Sequence, residues 1–148
     1  MSMMPFHSRC PDVAAREVRS VAVGPGPGGL PAGEYAFIEF YCADPECDCR
    51  RAFFQVIGRG QPERILASIN FGWESLEFYR RKMPWDPKAP RQVVEGSLDP
   101  LNEQSEWAPA LLKLFQDVVA DEAYKARLKR HHDVFRRTLT RPPHGGAR

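Results

Sequence analysis

Two runs in which apolar side chains recur at every second position, residues 35–42 and 51–57, are separated by only eight residues. Alternation with period two is the pattern of a strand with two different faces, and a link this short joins antiparallel neighbours. The first run puts Ala36, Ile38, Phe40 and Cys42 on one face, and Tyr35, Phe37, Glu39 and Tyr41 on the other. A third run follows at 64–71 after the turn Gly58-Arg59-Gly60-Gln61-Pro62, and residues 17–23 form a shorter β-prone stretch. Consecutive strands with short links predict a meander of roughly three or four strands.

The link between the first two runs is chemically unusual. Tyr41-Cys42-Ala43-Asp44-Pro45-Glu46-Cys47-Asp48-Cys49-Arg50 carries three of the chain's four cysteines. Asp44-Pro45 is a turn signal that folds the segment back, so the three sulfurs converge at the end of a hairpin. Three thiolates on one Zn²⁺ would fix a loop that has little apolar content of its own. Arg50 and Arg51 would offset part of the negative charge and favour thiolate over thiol. Free or redox-active thiols and a disulfide are the competing readings, and a reducing compartment favours metal over both. A closed zinc site needs a fourth ligand. Cys10 is the first choice, because a helical turn over 11–16 would return it to the Cys42 end of the sheet. His131, on the apolar stripe of the last helix, is the rival.

Beyond the sheet the period changes. Trp73, Leu76, Tyr79 and Met83 recur at helical spacing, whereas the proline-rich stretch 84–104 reads as mostly loop. Ser105 is placed to cap a helix whose stripe is Trp107, Leu111, Leu114, Phe115, Val118 and Val119. Asp121 is placed to cap a last one through Tyr124, Leu128, His131, Phe135 and Leu139. The expected fold is therefore α+β, an antiparallel meander packed against about three C-terminal helices. At 148 residues it is expected to be one domain, 1–148, with flexible ends at 1–9 and 141–148.

Charge is distributed unevenly. Residues 95–122 hold seven acids against Lys113, and residues 123–148 hold eight bases against Asp133. Facing acidic and basic helices account for this pattern. A basic helix carrying Lys125, Arg127, Lys129, Arg130, Arg136 and Arg137 also suits a phosphate backbone, but no recognition motif or aromatic stacking platform accompanies it. No apolar stretch approaches the ~20 residues of a membrane span, and the first residues lack a signal-peptide pattern, so a cytoplasmic protein is expected. Glu74 and Glu77 share a helix face without a nucleophile or oxyanion loop, and no catalytic constellation emerges.

The segments Phe40-Tyr41-Cys42, Cys47-Asp48-Cys49-Arg50-Arg51, Gly72-Trp73-Glu74-Ser75 and Leu98-Asp99-Pro100-Leu101-Asn102 resemble a group of small bacterial proteins that share a Tyr-Cys-x4-Cys-Asp-Cys-Arg cluster. The resemblance implies a metal site at Cys42, Cys47 and Cys49 and carries no activity with it. The functional expectation is a zinc-stabilised binding module that acts through protein contacts. Non-specific nucleic-acid binding and a thiol-redox or metal-handling role are the alternatives.

Overall fold

The computed structural model describes residues 2–26 and 29–140 of the chain. Its order is β1 (Met3–Pro5), α1 (Phe6–Arg9), α2 (Pro11–Glu17), β2 (Ser20–Val23), β3 (Gly33–Cys42), β4 (Arg51–Gly58), β5 (Gln61–Gly72), α3 (Leu76–Lys82), α4 (Ala89–Glu95), β6 (Ser97–Leu98), α5 (Ala108–Val119) and α6 (Glu122–Thr140). The class is α+β, as expected, but both strands and helices are more numerous than the sequence suggests.

The sheet is antiparallel throughout, in the order β1-β3-β4-β5-β6, and β2 also pairs with β3. One edge of β3 is thus shared. Met3–Pro5 pairs with Phe40–Cys42, and Ser20–Val23 pairs with Gly33–Ala36. Between these two pairings the chain leaves the sheet to form α1 and α2. Met3–Arg9, expected to belong to a loose end, is therefore ordered structure: three residues complete the sheet edge, and Phe6 is fully buried. The other expected end, 141–148, lies outside the described residues.

The alternation seen in the sequence separates the two faces. Tyr35, Phe37 and Tyr41 of β3, Ala52, Phe54 and Val56 of β4, and Ala67, Ile69 and Phe71 of β5 enter the main core. Leu111, Phe115, Val118 and Val119 of α5, and Tyr124, Leu128 and Phe135 of α6, cover them. Phe115 packs at once on Phe37, Phe54 and Phe71, with centroids 5.5, 4.7 and 5.6 Å away. Asp121 caps α6 through Oδ1, which accepts from the Ala123 N–H.

Two boundaries differ from expectation. Residues 89–95 are helical rather than loop, because Pro90 falls in the first turn, where a missing N–H costs nothing, and Val93 anchors the segment. Gly96, with φ 88°, then ends the helix in a conformation that favours glycine. Ser105 precedes a turn rather than starting α5. Its hydroxyl donates to Leu66 O and accepts from Trp107 N, tying 105–107 to the edge of β5.

Candidate metal centre

Cys42 ends β3 and the loop 43–50 returns the chain to β4, so the sheet itself brings the cysteines to one corner. The ligand atoms of Cys42, Cys47 and Cys49 all lie within 4.8 Å of one another, and none of the four cysteines is bridged. Sulfurs around a tetrahedral zinc stand about 3.8 Å apart, given a Zn–S bond of about 2.3 Å. The spacing is thus within about 1 Å of that of a closed site. Cys42 is 2% exposed, and Cys47 and Cys49 are half-buried.

The loop is built around the sulfurs. The backbone at Asp44 favours the anionic form of Cys42, and the backbone at Arg51 that of Cys49. Burial acts in the other direction, and in the metal-free arrangement it pushes the Cys42 thiol up to about 11 and raises Cys49 as well. Asp44 Oδ1 accepts from Glu46 N, closing the turn predicted at Asp44-Pro45.

Three side chains brace this corner from outside. Arg136 of α6 donates to the carbonyls of Cys47 and Pro45, the latter at 3.0 Å. Tyr79 of α3 donates to the Arg50 carbonyl at 2.6 Å. Arg50, at φ 50°, is the described non-glycine residue in left-handed backbone. Its guanidinium grips Asp48 at 2.8 and 3.2 Å, reaches Glu74 at 3.3 Å and lies over the Phe78 ring. The hydrogen bond from Arg50 and its charge hold the Asp48 carboxyl below the usual aspartate range.

Neither candidate for the fourth ligand joins the cluster. Cys10 belongs to the core on the helix-covered face, beside Ala14, whereas Cys42 points to the opposite face of β3. The predicted turn at 11–16 exists, as α2, but the sheet lies between it and Cys42. His131 is fully buried, and both its nitrogens are engaged: Nδ1 lies 2.7 Å from Glu39 Oε1, and Nε2 lies 2.8 Å from Glu17 Oε1. Phe6 stacks on the ring at 4.5 Å. Glu39 also accepts from Tyr41 Oη at 2.7 Å, while its Oε2 and the Tyr124 hydroxyl are buried without a partner among the described residues. This polar group was missed in the sequence, although Glu39 and His131 each interrupt a stripe of buried apolar residues, and that interruption is its signal.

The basic residues of α6 have partners that the charge pattern did not indicate. Arg130 pairs with Glu17 of α2 at 2.9 Å, Arg127 donates to the Glu17 carbonyl, Lys125 pairs with Glu122, and Arg136 holds the cysteine loop. The expected match with acids of α5 is replaced by contacts to α2 and to the loop. Lys129 is exposed on the helix surface.

Comparison with protein-family models, with curated proteins and with solved structures finds no match to this chain. Among the described residues, no helix is long and apolar enough to cross a membrane.

Proposed function

We propose that Cys42, Cys47 and Cys49 hold one zinc ion that locks the β3–β4 corner, and that the chain works as a metal-stabilised binding module for a protein partner. The observation that carries the metal reading is the convergence of three sulfurs within 4.8 Å on a loop braced by Arg136 and Tyr79. The chain supplies three ligands, which leaves one tetrahedral position to water or to a partner's side chain. Next to the corner, Trp85 is 76% exposed and lines a cavity with Cys47, Cys49, Tyr79 and Met83. An exposed tryptophan over a partly apolar hollow has the chemistry of a protein contact, since such side chains dominate interface energetics. Nucleic-acid binding through α6 draws less support, because five of its six cations already have intramolecular partners.

Metal content of the purified protein, together with the absorption spectrum after cobalt substitution, tests the metal reading. One ion per chain and sulfur-to-cobalt charge-transfer bands are expected. Cys47→Ser should abolish both, and Cys10→Ser should leave both intact. A metal-free protein that fails to take up cobalt, or loss of metal in Cys10→Ser, overturns it.

A further inference from the structure

Helices α5 and α6 cover one face of the sheet, and the other face holds a cavity of about 420 Å³. That volume lies within the usual range of small-molecule sites. Its composition follows from the register. Phe53 of β4 is central, paired with Phe40 of β3 on one side and Asn70 of β5 on the other. Arg51 and Gln55 stand two residues away along β4, in opposite directions, and so present their side chains on this same face. Asp99, from the segment after β6, closes the side next to Asn70.

The two phenylalanine rings meet edge to face at 5.4 Å and give the cavity an apolar floor. No aromatic platform is visible in the sequence, because these residues are thirteen positions apart and only the sheet brings them together. Arg51 and Gln55 are half-buried, line the cavity, and make no side-chain hydrogen bond or ion pair among the described residues. Asp99 differs: Oδ2 accepts from Asn70 Nδ2 at 2.9 Å, and Oδ1 accepts from Leu101 N and Asn102 Nδ2 at 2.8 and 3.0 Å. Its charge is spread over three donors, yet it remains an acceptor at the cavity wall.

An aromatic floor of two rings set edge to face, a half-buried guanidinium without a carboxylate, and an acceptor wall across the floor specify complementary groups on one ligand. We propose that this cavity binds a small planar aromatic or heteroaromatic molecule with one anionic group, its ring on Phe40 and Phe53, its anion on Arg51 and a donor group toward Asp99. Guanidinium recognition of a carboxylate or phosphate is planar and two-pronged, which fixes the direction of the anionic group. The assignment builds on the binding-module reading, and the cavity borders the metal corner, because Cys49 also lines it.

Two probes separate the sources of this chemistry: 4-aminobenzoate for aromatic carboxylates, and adenosine 5′-monophosphate for nucleotides. Each is titrated into the full chain, with metal content measured on the same sample and amide shifts recorded by NMR. One probe is expected to bind with shifts centred on Phe40, Arg51, Phe53 and Asn70. If that probe is 4-aminobenzoate, the uncharged 4-aminobenzamide should bind about tenfold more weakly, in line with the loss of one charged hydrogen-bonded contact. Arg51→Met should weaken the binding probe to a similar extent, with metal content measured on the same variant, and Arg51→Lys should retain part of the affinity. Failure of both probes to bind, shifts located elsewhere, or unchanged affinity in a folded Arg51→Met protein overturns the proposal. Binding by a chain that neither carries metal nor takes up cobalt would sink only the zinc reading, and metal without binding would sink only this one.

Discussion

The Nδ1 of His131 lies 2.7 Å from Oε1 of Glu39, and neither side chain is exposed to solvent. The opposite nitrogen faces Glu17, so hydrogen bonds on both sides require two ring protons or a proton on one glutamate. A strand of the sheet, a helix of the cover and the end of α2 are joined through one imidazole. The hydrogen bonds from His131 and Arg130 hold the Glu17 carboxyl below the ordinary glutamate range.

Removing one member of this pair strands the other. His131→Leu leaves Glu39 buried with Tyr41 as its hydrogen-bond partner, and a loss of about 3–5 kcal/mol is expected in urea unfolding. The double replacement Glu39→Leu/His131→Leu should be more stable than His131→Leu alone, because it buries no uncompensated charge. A double variant that loses the sum of the single costs would show that the pair is not energetically linked.

Gly72 is needed because Tyr79 lies against it. A Cβ at this position would stand 2.2 Å from Tyr79 Oη and 2.6 Å from Val93 Cγ1. Tyr79 has no room to withdraw, because its hydroxyl holds the Arg50 carbonyl and accepts from Glu74 N. Gly72→Ala is expected to destabilise the chain by about 3 kcal/mol, the upper part of the overpacking range. Adding Tyr79→Phe should recover some of that loss, and thermal unfolding of the two proteins would reveal whether it does.

Arg136 connects α6 to the cysteine loop through two carbonyls. Arg136→Met should weaken metal retention against a competing chelator by about 10–100-fold, the usual scale for removing a group that orients ligands. Faster amide exchange over 43–50 should accompany it. Arg136→Lys is expected to restore little, because one ammonium does not reproduce the fork. Equal chelator resistance in wild type and Arg136→Met would rule out this bracing role.

His132 packs against Trp73 at 5.0 Å and Tyr41 at 5.8 Å, and is 6% exposed. Burial, helped by the charge of Arg136, pushes its imidazole down to about 4. The folded value lies below the unfolded one of about 6.5, so between the two the unfolded chain binds the extra proton. Stability from this residue is complete above pH 6.5 and is lost as the pH falls toward 4, by up to about 3 kcal/mol. Chemical denaturation at a series of pH values should show that slope in wild type and not in His132→Phe. Glu17 acts in a lower window, because a depressed carboxyl loses its contribution only below the ordinary glutamate range.

The main strands were legible because their side chains alternate and the sheet has two unlike faces. The cysteine corner was legible for the same reason, since a short link between two such strands brings its ends together. Period alone does not say which face the helices cover, however, and that choice separates Cys10 from Cys42. β1 is three residues long and ends in proline, too short for any pattern to emerge. α4 was hidden by Pro90, which reads as a breaker in a window and as a first-turn residue in the fold. The Glu39–His131 contact joins positions 92 apart, and only tertiary packing creates it.

Arg9 binds the hydroxyl and the carbonyl of Thr138, 129 positions downstream, as Glu17 binds Arg130. During synthesis the segment 3–19 leaves the ribosome long before its partners on α6 exist. Until they emerge, the edge of β3 that this segment closes has lost its support and stands ready to pair with another nascent chain. The contacts of Arg9 and Glu17 with α6 thus join that edge only once the far end of the described chain has been made.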